Sequence, residues 1–209
     1  MLGIHHFALF LLSGLLLNMT PGADMLFVVS RSAAGGTRSG AAAALGVGAG
    51  CLIHVTAAAA GLSALLATSA TAFAAVKWLG AAYLIWLGIG LLRSRPAASV
   101  GAAPLPVLPL RAVLLQGMLT NVLNPKVILF FLAFLPQFVD PAGGSRGWAF
   151  LLLGGVFTVN GTLFNLGVAW TAARARGGIG RVRALIPWVR RLAGLAFVGF
   201  GLRLALAQR

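Results

Sequence analysis

Two short stretches decide how this chain is read: Asn18-Met19-Thr20-Pro21-Gly22-Ala23-Asp24 and Asn121-Val122-Leu123-Asn124-Pro125-Lys126. Each lies inside a long apolar run. Each contains a proline, which lacks a backbone donor and clashes with the preceding helical turn. A helix entering either stretch must kink or break there. Thr-Pro and Asn-Pro are also the N-cap and N1 pair of a helix start. A half-helix is therefore expected to begin at Pro21 and another at Pro125. Asp24 and Lys126 then fall in the first turns of those half-helices.

The composition around these breaks points to a membrane. The chain has 209 residues, with 16 Lys+Arg and 2 Asp+Glu. Charged residues make up 9%, against about 25% in soluble domains. Hydrophobic residues make up 60% and the mean hydropathy is +0.98. Such a chain cannot cover the surface of a water-soluble domain, and it is too apolar to be disordered. The net charge of +14 is not a nucleic-acid footprint, because the bases are scattered between apolar runs. A β-barrel would alternate polar and apolar residues, and these Leu/Ala/Gly/Val runs do not.

A helix needs about 20 mostly apolar residues to cross the bilayer core. Six runs qualify: 6–30, 41–66, 71–92, 111–138, 147–173 and 188–206. They fill the chain, so a single transmembrane domain over 1–209 is expected. The N-terminal Met-Leu-Gly-Ile-His-His lacks a basic region and a small-residue cleavage site, and is not read as a cleaved signal peptide. One cysteine, Cys51, allows neither an intramolecular disulfide nor a CxxC motif.

The bases are unevenly placed. The first, third and fifth connections hold Arg31, Arg38, Arg93, Arg95, Arg111, Arg174, Arg176, Arg181, Arg183, Arg190 and Arg191. The opposite side holds Arg146, Arg203 and Arg209. The bias places the odd connections in the cytoplasm and both termini outside. The basic fifth connection is read as a topology determinant facing anionic lipid.

The two halves resemble each other. Lys77, Gly80, Ala82, Tyr83 and Trp86 align with Arg191, Gly194, Ala196, Phe197 and Phe200. Gly14, Asn18 and Pro21 align with Gly117, Asn121 and Pro125, with one residue inserted. Three spans per half is an odd number, so the halves insert with opposite orientation, as in secondary transporters. The expected architecture is all-α: six transmembrane helices as two inverted three-helix repeats with broken first and fourth helices. Repeat one covers about 1–93, a cytoplasmic linker about 94–110, and repeat two about 111–209.

A half-helix start at membrane depth exposes unpaired N–H groups and a partial positive charge. That is tolerated only where the end is buried or lines a wet cavity. Two such starts at matching positions suit an anionic group such as a carboxylate. An intramembrane ion is costly and marks function by default. Asp24 and Lys126 are therefore the centre of a candidate substrate and proton site, framed by Asn18, Thr20, Pro21, Gly22, Asn121, Asn124 and Pro125. Asn160 and Asn165, amides in the apolar fifth span, either line the path or bond across helices. The simplest arrangement is a charge pair between Asp24 and Lys126. In the functional reading Asp24 binds an ammonium or carries a proton, and Lys126 holds a carboxylate.

The same stretches resemble the LysE/RhtB family of amino-acid exporters. The resemblance rests on Asn18 to Asp24 followed by Gly40 to Gly46, on Asn121 to Lys126 running into Phe130 to Phe138, and on Lys77 to Gly88. It covers nearly the whole chain in order and length. It implies an inner-membrane, multi-pass exporter of amino acids such as threonine, homoserine, lysine or leucine, driven by the proton gradient. Family members commonly have proline where this chain has Ala23, a departure that softens the first break.

The residues leave three rivals. A passive channel or pore for small polar solutes would need a continuous polar lining, which the spans do not obviously supply. A membrane enzyme would need a nucleophile–base set or a metal cluster, and two acids, three histidines and one cysteine are a poor supply. A structural subunit would make Asp24 and Lys126 replaceable. No Gly-rich loop with a following Lys-Ser/Thr is present, and no cofactor or metal is expected. His54 is read as a helix–helix hydrogen bond. Ala42, Gly46, Gly50 and His54 form a small-residue face for close contact, within the chain or at a homodimer seam.

Overall fold

Proline and glycine divide the chain where the sequence places them. The computed structural model describes residues 2–68, 70–93, 106–140, 145–174 and 179–206. Among these the chain is helical. Its elements are α1 (Phe7–Met19), α2 (Ala23–Thr68), α3 (Ala70–Arg93), α4 (Leu110–Val122), α5 (Pro125–Ala133), a short 3-10 turn (Leu135–Phe138), α6 (Arg146–Arg174) and α7 (Ile179–Leu206). Of the expected linker, 94–105 lie outside the described residues, as do Arg95, Arg176 and Arg209.

The second break falls as expected. Asn124 caps α5, its side chain accepting from the Lys126 N–H, with Pro125 at the helix start. The axes of Leu110–Val122 and Pro125–Phe138 meet at 51°. The first break differs in detail. Thr20 ends α1 and α2 starts at Ala23, two residues beyond Pro21. Thr20 serves the preceding helix instead of capping the next: its Oγ1 donates to Leu16 O at 2.8 Å. Asp24 still lies in the first turn of α2.

The first connection turns at Gly36 (φ 71, ψ −167), where two helices meet, so α2 has two arms, 23–35 and 37–68. The arms fold back on each other: a Cβ on Gly40 would run into the Ser32 hydroxyl, eight residues earlier. Glycine alone tolerates the positive φ.

Two helices are long and apolar enough to cross a membrane unaided, Ala23–Gly61 and Arg146–Arg174, and the bent pair Leu110–Val122 with Pro125–Phe138 makes a third if it is one span. Phe7–Met19, Trp78–Arg93 and Arg191–Leu202 are shorter apolar helices. The outer surface suits lipid: Trp78, Trp86, Trp148, Trp170 and Trp188 are all exposed. Inside, Phe10, Phe130, Phe134, Phe150 and Phe197 are fully buried.

Small residues let the central helices approach closely. A Cβ on Gly46 would run into the Leu114 carbonyl, and one on Gly50 would lie 2.6 Å from Met118 O. One on Gly117 would lie 2.7 Å from Ala43 O. The face of Ala42, Gly46, Gly50 and His54 is thus used within the chain, against α4. Likewise α3 meets α7 through Gly88 and Gly194, each of whose Cβ positions lies within 2.9 Å of the other's carbonyl oxygen.

Candidate functional site

The two breaks face one another at the centre of the helices. Leu17 and Asn18 come from the end of α1, Asp24 and Met25 from the start of α2, and Asn121 from the end of α4. Lys126 and Val127 come from the start of α5. Val47, Gly48 and Cys51 of α2 and Phe157, Thr158, Gly161, Thr162 and Asn165 of α6 complete a cleft. Its cavity volume is about 30 Å³, where a single water needs about 10–15 Å³ of cavity, so it has room for very few waters.

Asp24 and Lys126 line this cleft together, but no ion pair joins them among the described residues. Nδ2 of Asn121 donates to Asp24 Oδ2 at 2.8 Å. Lys126 Nζ instead donates to Leu17 O at 3.0 Å and Thr20 O at 3.1 Å. The reason is backbone chemistry. A helix ending at membrane depth leaves carbonyls short of partners. Lys126, with three donors, serves Thr20 O and adds a second bond to Leu17 O, which also accepts from the Thr20 N–H at 3.1 Å.

Of the remaining site residues Asn18 lines the cleft, Thr20, Pro21, Gly22, Asn124 and Pro125 form the breaks beside it, and Asn160 lies elsewhere. Asn18 packs on Gly161, where a Cβ would lie 3.0 Å from Asn18 Nδ2. A Cβ on Gly22 would lie 3.5 Å from Lys126 Nζ. Pro21 and Pro125 shape the breaks. Asn160 lines a different, apolar groove with Leu11, Gly155 and Val156. Residues five apart on a helix point about 140° apart at 3.6 residues per turn, so Asn165 faces the cleft and Asn160 does not.

Three side-chain atoms of residues lining the cleft are buried without partners: Asp24 Oδ1, Asn121 Oδ1 and Asn18 Nδ2, two acceptors and one donor. Asn124 Nδ2, outside the lining, is likewise buried without one. Sequence reasoning missed Thr158 and Thr162. With Asn165 they form a polar stripe at i, i+4 and i+7 on an apolar helix, a helical period that was readable. Thr158 Oγ1 donates to Gly154 O at 2.8 Å and contacts Cys51 Sγ at 3.2 Å. His54 lies behind Asn121: its Nε2 is 3.1 Å from Asn121 O, and its ring stacks on Phe131 at 5.9 Å. A carbonyl only accepts, so this contact requires the proton on Nε2.

Comparison with known proteins gives one consistent result. The family model described as LysE type translocator matches residues 15–208. The chain is 34% identical to an uncharacterized membrane protein of Pseudomonas aeruginosa, over 99% of this chain and 97% of that one. It is 34% identical to an uncharacterized membrane protein of Vibrio cholerae, over 98% of each chain. It is 31% identical to the leucine efflux protein of Salmonella typhimurium, over 99% of this chain and 97% of that one. No solved structure matches.

Proposed function

The chain belongs to the LysE type translocator family, so it is a transporter and not an enzyme, and we propose that it exports a small amino acid across the bacterial inner membrane by proton antiport. The unpartnered atoms lining the cleft carry the reading. Asp24 Oδ1 and Asn121 Oδ1 suit an ammonium, and Asn18 Nδ2 suits a carboxylate. A zwitterionic amino acid supplies both. Each buried polar group left unpaired costs about 1–3 kcal/mol, so a ligand that pairs these three recovers that cost on binding.

Leu17, Val47, Val127 and Phe157 give the cleft apolar walls, which suit an aliphatic side chain. The relatives named leucine efflux protein support the same choice. An amino acid is several times larger than a water molecule, so the described cleft is closed around its polar centre. Substrate entry then requires the walls to part, as alternating access demands. Asp24 alternates between a protonated form and a form engaged with substrate.

The proposed framework is six spans in two inverted repeats. Matching contacts support it. Asn18 packs on Gly161 of α6, and Asn121 lies close to Gly50 of α2. Helices α1 and α4, 13 residues each, both end at a break. The proposed orientation has the odd connections inside and both termini outside. In its favour, Arg31 of the first connection bonds Pro106 O of the third at 3.4 Å and Gln116 Oε1 of α4 at 2.9 Å. At the other end His5 N donates to Phe138 O at 3.0 Å and Ile4 pairs with Val139.

The test is uptake of a panel of amino acids into inverted vesicles energised by a proton gradient. Uptake of an aliphatic amino acid that collapses with an uncoupler is expected. Flux that follows the substrate gradient regardless of uncoupler would replace the antiporter with a passive pore. No flux across the panel would remove the exporter reading.

A further inference from the structure

Lys126 sits where its own helix disfavours it. It lies in the first turn of α5, at the positive end of the helix. Its ammonium reaches away, across the chain halves, to the negative end of α1. There two backbone oxygens, Leu17 O and Thr20 O, converge on it at 3.0 and 3.1 Å.

Pro21 makes this seat. The residue before a proline is driven out of the helical region, and Thr20 is extended at ψ 120. Its carbonyl thereby turns from the helix ladder, and Pro21 brings no N–H of its own, so Thr20 O is left to the ammonium while Leu17 O is shared with the Thr20 N–H at 3.1 Å. Gly22 lies beside the ammonium, where a Cβ would make ordinary contact with Nζ at 3.5 Å. Unwound carbonyls and half-helix C-terminal ends are the groups that coordinate cations in membrane transporters. Asp24 and His54 are the other titratable side chains at these breaks, and the geometry gives each a different partner: Asp24 holds Asn121 Nδ2, and His54 lies on Asn121 O.

We propose that the C-terminal end of α1 is a seat for a small monovalent cation, and that the Lys126 ammonium is its built-in occupant. Transport then needs no dissociable sodium or potassium ion. Removal of the ammonium opens the seat to a free alkali or small organic ammonium ion. The transport arm of this inference rests on the exporter reading; the binding arm does not.

The experiment uses the purified full chain and two neutral variants, Lys126→Met and Lys126→Gln. Thermal unfolding is followed in methylammonium, sodium and potassium chloride, with choline chloride as an ion too large for the seat. Both variants are expected to melt below the wild type. Methylammonium should raise their melting temperature saturably, as a ligand of the folded state does, while the wild type and the choline samples do not respond. In proteoliposomes the variants should lose at least about tenfold in amino-acid flux, equal to about 1.4 kcal/mol, and regain part of it with methylammonium. Variants that melt like the wild type, or that no cation in the panel stabilises, would overturn the proposal. Should neither variant be recovered folded, methylammonium in the growth medium should restore folded yield, and no restoration would overturn it equally. Cation-dependent melting without any wild-type amino-acid flux would keep the seat and remove the exporter reading. Wild-type flux with cation-indifferent variants would do the reverse.

Discussion

The carboxamide of Asn121 bonds Asp24 Oδ2 at 2.8 Å, tying the end of α4 to the start of α2. The backbone of the same asparagine contacts His54, also of α2, at 3.1 Å. Asn121 is therefore held by both arms of α2, on either side of the Gly36 turn. It fixes one oxygen of the carboxylate and leaves Oδ1 for another partner.

Asn121→Ala should weaken substrate binding. A hydrogen bond to a charged group contributes about 1.5–3 kcal/mol, and each 1.4 kcal/mol is about tenfold in affinity. The KM for the transported amino acid should rise roughly ten- to a hundredfold in proteoliposomes. An unchanged KM would mean the carboxylate does not depend on this amide.

Asp24→Asn keeps the shape and removes the ionisable group. Gradient-driven uptake into inverted vesicles should fall to that of vesicles without the protein. Asp24→Glu should retain a fraction. Unchanged uptake by Asp24→Asn would remove Asp24 as the proton carrier.

His54→Ala should act on stability more than on binding. It removes one of the donors to Asn121 O, which keeps the Asn124 N–H at 3.0 Å, a loss of about 1 kcal/mol. For a chain of this length that is about 2–4 °C in melting temperature. His54→Gln supplies a donor again and should recover most of it. Equal melting of all three proteins would show that the contact does not contribute.

Gly46→Ala should destabilise the α2–α4 contact, because its Cβ would meet the Leu114 carbonyl. Overpacking against backbone costs about 1–3 kcal/mol. Gly155→Ala is the control: nothing lies within 4 Å of its Cβ position, and alanine favours helix over glycine by about 1 kcal/mol. Melting temperatures in detergent should move down for the first and level or up for the second.

Much of the site was legible because its signals are rare in an apolar chain. Prolines inside hydrophobic runs, one acid and one base beside them, and asparagines at matching positions all stand out against leucine and alanine. What was illegible depends on reach and on backbone. The Asp24–Lys126 pairing looked simplest because residue types show charges but not orphan carbonyls, and the carbonyls of α1 won the lysine. The first connection, by contrast, was legible from Arg31, Arg38 and the glycines between them, and its turn falls at Gly36. Asn160 and Asn165 could have been separated by their angular spacing, and the Thr158–Thr162–Asn165 stripe with them.

The pairing of α3 with α7 bears on how the protein is made. Helix α3 packs chiefly on α7 and only sparsely on α2, its neighbour in sequence. Their glycine contact, Gly88 against Gly194, joins positions more than a hundred residues apart. A ribosome delivers α3 to the membrane well before it delivers α7. During that interval α3 has lipid, or the insertion machinery, where its partner will be. Assembly therefore waits on the end of translation, and damage to α7 should leave an already inserted first half exposed to quality-control proteases.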